Sequence, residues 1–258
     1  MRGFLFINIT TYCILLTMKP NTYNTIKHWD ENLVLKFVNK ELIPLYKHFE
    51  TYGITSLSFV DIGGNVGKFY DEISKNYVVN KCEVVEASSI LCEYMFDKFK
   101  DNDKVTVHHF GLSDEEGVFY FGDEHVRWFE NTGQDGSGRD INLGLSASHF
   151  VHHENTNFNG ATKFHSSNHF FENICTIPPQ DLKFIKVDTE NRDIQIVASM
   201  TDYLVKHKIQ PIILFENNFR YFLSLEEAQG LIDNLCDKVG YIKVDLRGDE
   251  NIFLLPVL

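Results

Sequence analysis

The sequence lacks the cysteine pattern and the excess of basic residues that several protein classes require. Its five cysteines are an odd number spread along 258 residues with no Cys-x-x-Cys pair, which excludes a disulfide scaffold and a zinc ribbon. Lys and Arg number 24 against 36 Asp and Glu, so the formal net charge is −12. Because so acidic a surface repels phosphate backbones, we predict no nucleic-acid partner. We expect a soluble, cytoplasmic protein with reduced cysteines.

Long apolar runs are also missing. The apolar stretch 4–16 is interrupted by one Asn and two Thr, and it is too short to span a bilayer. Arg2 precedes it as in a signal peptide, but no small-x-small cleavage motif follows. We expect residues 1–18 to be a tail or to lie upstream of an alternative start at Met18, and we predict no stable membrane insertion.

What the chain does contain is an alternation of strand and helix patterns. Between Asp30 and Glu50 apolar residues recur every three or four positions, which predicts an amphipathic helix bent near Pro44. From Ser56 onward short apolar runs alternate with amphipathic segments, and the last two strands are joined by residues 248–250. Strands joined so closely are antiparallel, because parallel neighbours need a long crossover. The predicted fold class is α/β: a doubly wound, mostly parallel, seven-stranded Rossmann-like sheet with a terminal antiparallel strand.

The individual elements follow from the same patterns. We predict strands at Ser56–Asp61, Cys82–Glu86, Val105–Phe110, Gly117–Phe121, Leu182–Asp188, Pro211–Glu216, Tyr241–Leu246 and Asn251–Val257. We predict helices at Val66–Tyr77, Ser88–Lys100, Ile194–His207 and Leu225–Val239. Residues 122–173, rich in Gly, Asn, Ser and His, interrupt the alternation, and so long a loop is usually functional or disordered. We therefore expect a helical cap at 19–54 and one domain at 55–258 with a loop insertion at 122–173.

The strongest motif is the segment Phe59–Gly67. A predicted strand ends at Asp61, two glycines form a turn, and a helix follows. Glycines let a ligand approach the backbone, and a helix N-terminus offers free N–H donors. Glu86 closes the next strand 19 residues after Gly67, where an acid can accept both ribose hydroxyls of an adenosine. The segment therefore predicts a nucleoside site, with a turn that serves only packing as the alternative.

The order of residues in this turn discriminates between nucleoside cofactors. It is Asp-x-Gly-Gly-x-x-Gly rather than Gly-x-Gly-x-x-Gly. An acid before the glycines repels a pyrophosphate, but it suits the cationic amino-acid end of S-adenosylmethionine (SAM).

Taken together, these residues resemble FkbM-type SAM-dependent methyltransferases, a branch of the class I methyltransferase fold. The resemblance covers most of the chain after about residue 55, and several motifs carry it in order. Val60–Gly67 is similar to the family's Val-Asp-Ile-Gly-Ala-Asn-Val-Gly, and Gly111–Asp114 to its Ala-Leu-Ser-Asp. Ile185–Asn191 is similar to its Ile-Lys-Ile-Asp-Val-Glu-Gly. Leu214–Glu216 is similar to its Leu-Phe-Glu, and Asn251–Leu255 to its Asn-x-x-Phe segment. Gly64 replaces the family's Ala, Asn191 replaces its last Gly, and the Leu-Asp expected around Ile177–Leu182 is missing.

The resemblance implies SAM as the cofactor and methyl transfer to a hydroxyl of a sugar or glycan acceptor. The residues at the family's cofactor-binding motifs are Asp61, Gly63, Gly64, Asn65, Gly67, Glu86, Ala87, Leu112 and Ser113.

Oxygen-bearing side chains follow the predicted strands 182–188 and 211–216. Methyl transfer from a sulfonium to a hydroxyl is an in-line displacement that requires removal of the hydroxyl proton. Asp188, Glu216 and Asn217 share the carboxyl edge of the sheet, and such a set suits Mg²⁺ or Ca²⁺ and resembles the metal triad of catechol O-methyltransferase and related sugar O-methyltransferases. Alternatively, Asp188 and Glu216 hydrogen-bond to loop backbone or substrate. Asp188 and Glu190 are the candidate catalytic residues, Glu190 as general base or as a ligand of substrate hydroxyls.

Histidines are concentrated in and near the insertion. They include His149, His152, His153, His165 and His169. Because no Cys or carboxylate partner is fixed by a motif, we favour solvated or substrate-facing histidines over a zinc site.

The sequence predicts a SAM-dependent O-methyltransferase of sugars or glycans. A nucleotide-dependent oxidoreductase is disfavoured by Asp61 and by the absence of a second catalytic domain. A non-catalytic SAM- or glycan-binding module is the other alternative, and Asn191 is its best support.

Overall fold

A computed structural model describes nine parts of the chain. They are residues 24, 26–27, 41–114, 116–121, 150–151, 161–189, 192–217, 223–245 and 251–257. The predictions for residues 1–18, for Glu190 and Asn191, and for most of the insertion lie outside the described residues.

The main sheet has seven strands and confirms the predicted α/β fold class. Its strands are β1 (Ser56–Ile62), β2 (Val78–Glu86), β3 (Val105–His109), β8 (Leu182–Val187), β9 (Ile212–Glu216), β10 (Tyr241–Asp245) and β11 (Asn251–Pro256). They lie in the order β10-β11-β9-β8-β1-β2-β3. β11 is antiparallel to both of its neighbours, while the strands from β9 to β3 pair in parallel.

Strand β1 forms the centre of this sheet because its sequence is apolar on both faces. All of its residues after Ser56 are buried, as in strands of parallel sheets that are covered by helices on both sides. Phe59 belongs to one hydrophobic core and Val60 to the other, so consecutive side chains of β1 point into opposite layers. β2 and β8 flank β1, which places the point of sheet reversal at its carboxyl end.

Seven α-helices have bounds within the described parts of the chain, and residues 24, 26 and 27 are helical as well. The seven are α1 (Ile43–Thr51), α2 (Lys68–Asn76), α3 (Ser89–Lys98), α4 (Ser167–Asn173), α5 (Asp193–Ser199), α6 (Thr201–His207) and α7 (Leu225–Val239). Helix α1, from the predicted cap, packs on the sheet, since the rings of Phe49 and Phe184 meet edge to face at 5.6 Å. None of the helices in the described ranges is both long and apolar enough to cross a membrane. The division into a cap and one domain stays a prediction.

The single helix predicted at Ile194–His207 is wrong, because the chain forms two helices that meet at Met200. Two hydroxyls next to the break bond to backbone carbonyls: Ser199 Oγ donates to Ile196 O at 2.9 Å, and Thr201 Oγ1 donates to Ala198 O at 2.7 Å. Side chains of this kind offer the backbone an alternative to continuous helix.

Helix α7 has the bounds predicted from the sequence. Ser224 and Glu227 form a capping box at its start, and Gly240 ends it in the left-handed conformation with φ 86°.

A second, four-stranded sheet was not predicted. It consists of β4 (Gly111–Ser113), β5 (Gly117–Phe121), β6 (Phe150–Val151) and β7 (Ala161–Ser166), in the order β4-β7-β5-β6. β7 and α4 lie inside the segment predicted as a loop. The strand pattern of β7 is hidden because Phe164 and His165, which are adjacent, are both buried, whereas a half-buried strand alternates.

Candidate cofactor and acceptor site

The candidate site lies at the carboxyl end of β1, where the loops after β1 and β8 meet. Asp188 N donates a hydrogen bond to Ile62 O at 2.9 Å, which extends the ladder between the two strands into their loops. In open α/β sheets ligands bind outside the strand ends at this point of reversal. The cofactor turn and the acidic residue after β8 are therefore direct neighbours, as the sequence predicts for one shared site.

Gly63 and Gly64 are required by packing against the protein itself. A Cβ on Gly63, whose φ is 77°, would lie 1.9 Å from the carbonyl oxygen of Asp188. A Cβ on Gly64 would lie 2.1 Å from Val84 Cγ1 on β2. The missing side chains make room for the loop after β8 and for β2, while the approach of a ligand to this backbone stays a prediction. The sequence shows the glycines but not what faces them.

The turn closes through two further residues with positive φ. Asn65 has φ 53° and Gly67 has φ 72°, and Asn is among the few non-glycine residues that adopt this conformation readily. Gly67 N donates to Gly64 O at 2.8 Å, and α2 begins at Lys68. The Oδ1 atom of Asn65 is buried and has no hydrogen-bond partner, so this polar atom is available to a ligand in the turn.

Glu86 joins the cofactor turn to the loop after β2. Its Oε2 accepts from Asn65 N at 2.9 Å, and its Oε1 accepts from Ser88 N at 2.8 Å. The carboxylate is buried, and both of its oxygens bond to backbone N–H groups of the two loops. The backbone carbonyl of the next residue, Ala87, accepts from Thr162 Oγ1 of β7 at 3.2 Å. The structure therefore brings Glu86 next to Asn65, as the nucleoside interpretation requires, and ties Ala87 to β7.

Leu112 and Ser113 lie in β4, and both are buried. Ser113 Oγ donates to Asp114 Oδ1 at 2.9 Å, and the same oxygen accepts from an Arg192 guanidinium nitrogen at 2.8 Å. Arg192 immediately precedes α5, so it connects the loop after β8 to the end of β4. Arg192 was not predicted as a site residue. Its one sign in the sequence is that a basic residue directly follows the segment Ile185–Asn191.

The main electrostatic feature of the site, which the sequence analysis missed, is Lys186. Its Nζ lies 3.4 Å from Asp61 Oδ1 and 3.2 Å from Asp188 Oδ2, and 5.3 Å from the centre of the Phe69 ring. Lys186 and Asp61 are both buried. The strand LKFIKV carries two lysines, Lys183 exposed and Lys186 buried among apolar residues, and the second is the signal that points to such a pair.

Burial and charge act in opposite directions on the pKa values of this group. Burial raises the pKa of Asp61, while Lys186 lowers it and Asp188 raises it, and the net shift is upward. Burial would lower the pKa of Lys186, but the carboxylates of Asp188, Asp61 and Glu41 outweigh it, so that pKa is raised. Lys186 is therefore a permanent cation at this site. The cation beside Asp61 is part of the chain, which differs from the expectation that Asp61 faces the cationic end of SAM.

Asp188 is the member of the group that solvent reaches. Its side chain is 39% exposed, whereas the side chain of Asp61 is fully buried. Thr189 N donates to Asp193 Oδ1 at 2.7 Å, so the buried Asp193 holds the loop that follows Asp188. Asp193 lies in the first turn of α5, where an acid is also favoured by the positive end of the helix dipole.

Glu216 and Asn217 are partly buried at the end of β9, the strand beside β8. Asp188, the first member of the predicted metal set, already has a cationic partner in the protein. Lys186 Nζ lies 3.2 Å from its Oδ2, so the observed ion pair does not by itself call for a metal. Asp188, Glu216 and Asn217 as a metal set therefore stay a prediction of the sequence.

Comparisons with known proteins give only distant similarities. No protein-family model matches the chain, and a search of curated proteins gives no match. The chain is similar to the crystal structure of methyltransferase FkbM from Methylobacillus flagellatus, with 13% identity and a TM-score of 0.46, over 78% of this chain but only 44% of that one. It is also similar to a SAM-dependent methyltransferase structure from Methanococcus maripaludis, with 14% identity, a TM-score of 0.45 and coverage of 93% and 95% of the two chains. A third similar structure is a SAM-dependent methyltransferase from Aquifex aeolicus, with 11% identity and a TM-score of 0.40, over 91% of this chain and 98% of that one.

Proposed function

We propose that this protein is a SAM-dependent O-methyltransferase whose acceptor is a hydroxyl of a sugar or glycan. The observation that carries the cofactor assignment is the buried carboxylate of Glu86, which is held against the glycine turn by Asn65 N at 2.9 Å. A carboxylate fixed at the point of sheet reversal is placed to accept ribose hydroxyls. The sugar acceptor follows from the resemblance of the sequence motifs and is the part that most needs a direct test.

The residues of the turn fit a nucleoside cofactor with an amino-acid tail. The buried Oδ1 of Asn65 lacks a donor, so it can take a hydrogen bond from a ligand, and the Glu86 carboxylate is bonded to the backbone of the same residue. Leu112 and Ser113 provide an apolar and a polar side chain at the end of β4. We assign binding of the cofactor to these residues and to the backbone of Gly63, Gly64 and Gly67.

Asp188 is the residue that we assign to the acceptor hydroxyl. Bound SAM supplies an electrophilic methyl group on a positively charged sulfur. Asp188 is exposed on one side and held on the other by Lys186 at 3.2 Å, so its carboxylate is oriented before substrate arrives. From this position it accepts the hydroxyl proton as the oxygen reacts. Glu190, two residues later, remains the second candidate for this proton and lies outside the described residues.

The proposed reaction needs no divalent cation. Lys186 supplies a fixed positive charge next to Asp188, which orients the carboxylate without a metal. Asp188, Glu216 and Asn217 as ligands of Mg²⁺ stay a prediction of the sequence. We expect transfer to continue after the protein is treated with a chelator and to be indifferent to added Mg²⁺. Activity that is lost on chelation and restored by Mg²⁺ alone would instead support the metal set.

Calorimetry with SAM and with NAD tests the cofactor assignment. We expect SAM to bind and NAD to give no heat beyond dilution. NAD binding without SAM binding would overturn the proposal in favour of the oxidoreductase alternative.

Transfer of a labelled methyl group to a panel of monosaccharides and glycans tests the reaction. Asp188→Asn is expected to abolish transfer while it retains SAM binding, and Asp202→Asn, an exposed acid on α6, serves as the control. SAM binding with no transfer to any hydroxyl acceptor would favour the non-catalytic module.

A further inference from the structure

A cluster of two histidines and one glutamate lies outside the proposed methyl-transfer machinery. Glu116, His165 and His169 each offer one ligand atom, and these atoms all lie within 4.8 Å of one another. Glu116 precedes β5, His165 is in β7, and His169 is in α4, so three separate elements converge here. The carboxylate partner that the sequence motifs lack comes from 49 residues upstream of His165.

Local structure fixes the backbone positions of both histidines, while the His169 side chain can still turn. Ser166 is the N-cap of α4, and its Oγ accepts from His169 N at 3.2 Å, which sets His169 in the first turn of the helix. The two imidazole rings are parallel within 6°, with their centres 4.8 Å apart. Glu116 Oε1 lies 3.0 Å from His169 Nδ1. The cluster is therefore built by the backbone of β7 and α4, with Glu116 closing it from the side.

A second observation points to a ligand. His165 is only 7% exposed, and its Nδ1 atom is buried with no hydrogen-bond partner. A buried ring nitrogen without a partner is costly unless something bonds to it. The ring of Phe110 packs edge to face against His165 at 5.0 Å, which holds the imidazole in place.

We propose that Glu116, His165 and His169 form a binding site for Zn²⁺ or a similar borderline transition-metal ion. Two imidazoles and one carboxylate are a known zinc ligand set that leaves a fourth position for water. Tetrahedral bonds of about 2.0–2.1 Å place ligand atoms roughly 3.3 Å apart, so the cluster contracts on binding. The exposed side chains can supply this movement, since Glu116 is 51% and His169 37% exposed, while His165 stays fixed.

The electrostatic surroundings of the cluster also favour a cation. The chain carries a formal net charge of −12, and Glu116 contributes a carboxylate directly. Lys163 on the same strand opposes a cation, but its side chain is exposed and therefore screened by water.

Such an ion would join the second sheet to α4. Gly117, next to Glu116, pairs with Phe164, and Leu112 of β4 pairs with His165. The ion would therefore link the start of β5, β7 and α4 beside the β4 residues that we assign to the cofactor. The site is independent of methyl transfer and can exist whether or not the proposed function holds.

Titration of the chelator-stripped full chain with Zn²⁺, followed by calorimetry, tests the proposal. We expect one equivalent of Zn²⁺ to bind tightly. His169→Ala and Glu116→Gln are each expected to weaken the zinc affinity by more than about tenfold, because loss of a residue that only supports a metal ligand already costs about that much. His207→Ala is the matched control, because His207 also pairs with a glutamate, Glu172 at 3.3 Å, but belongs to no three-ligand cluster in the described part of the chain.

Cobalt(II) gives an independent readout, since tetrahedral coordination produces visible absorption that a solvated ion lacks. We expect this absorption in the parent chain and in His207→Ala, and its loss in His169→Ala. Circular dichroism of the metal-free variants confirms that they fold. Zinc binding that is absent from the parent chain, or unchanged in both His169→Ala and Glu116→Gln, would overturn the proposal.

Discussion

Lys186 Nζ lies 3.4 Å from Asp61 Oδ1, and both side chains are closed to solvent at the end of two neighbouring parallel strands. Charges removed from water are tolerated only when they are paired, so each of these residues depends on the other. The pair also fixes the position of Asp188, which contacts the same ammonium group at 3.2 Å. A structural pair inside the sheet thus supports a residue that we assign to the reaction.

Replacement of the lysine tests this dependence. We expect Lys186→Met to lower the free energy of unfolding by about 3–5 kcal/mol, because it leaves Asp61 as an unpaired buried carboxyl group. Urea unfolding measures the change. The double variant Asp61→Asn/Lys186→Met is expected to lose less than the sum of the two single variants. Strict additivity would show that the two residues are not coupled.

Glu86 provides a test of the cofactor pocket. We expect Glu86→Ala to weaken SAM binding by about 1–3 kcal/mol, since it removes an acceptor for the ribose and the bond to Asn65 N. Calorimetry measures the affinity. Glu226→Ala, which removes an exposed acid from α7, is the control and should bind SAM normally. Equal affinities for the two variants would contradict the pocket assignment.

Gly64 provides a test of packing between the cofactor turn and β2. We expect Gly64→Ala to destabilise the fold by about 1–3 kcal/mol, because the new Cβ would meet Val84 Cγ1 at 2.1 Å. In a Val84→Ala background the same substitution should cost less. Gly230→Ala is the control: nothing lies within 4 Å of its Cβ position in α7, so it should stabilise by about 0.5–1 kcal/mol. Thermal and urea unfolding compare these variants, and an undiminished cost in the Val84→Ala background would argue against the contact.

Glu83 predicts part of the pH dependence of stability. It is buried in β2, where it pairs with His108 Nε2 at 2.5 Å and accepts from Thr176 N at 3.2 Å and from Thr176 Oγ1. Burial alone would raise the pKa of Glu83, but these hydrogen bonds outweigh it and hold the pKa below its ordinary value of 4.5. A carboxyl whose pKa is lowered by folding stabilises the native state above the unfolded pKa. That stabilisation is lost as the pH falls through the folded pKa.

We therefore expect the parent chain to lose more stability on acidification than Glu83→Gln does. Urea midpoints measured from about pH 7 down to about pH 3 report this difference, which isolates Glu83 from the other acids. Glu226→Gln, an exposed change, should follow the parent chain. Parallel curves for the parent chain and Glu83→Gln would exclude the assigned role.

Most of the main sheet could be predicted because its strands and helices carry local signals. The capping box at Ser224 and the glycine at position 240 give α7 its bounds directly from the sequence. The break at Met200 could not be predicted, because it depends on the backbone carbonyls to which the hydroxyls of Ser199 and Thr201 bond in the folded chain. The adjacent buried residues Phe164 and His165 hid β7 for a related reason, since His165 is buried by its tertiary neighbours rather than by its hydrophobicity.

The geometry of the glycine turn was predictable from the sequence, and the charges around it were less so. The motif around Gly63 and the spacing to Glu86 locate the turn, and the structure places the two together. The role of Lys186 was missed because its partners lie on a neighbouring strand and beyond the end of its own. The cluster of Glu116 with two histidines is invisible to motif spacing for the same reason: three elements have to fold before it exists.

The absence of a side chain at position 63 leaves the turn after β1 in direct contact with the carbonyl of Asp188. No gap separates the two loops, so a displacement of one has to displace the other. If a nucleoside shifts the turn when it enters, the acid that faces the second substrate shifts as well. Under the proposed function, occupancy of the turn would then adjust the alignment of Asp188, which mechanically couples the cofactor side of the crevice to the acceptor side.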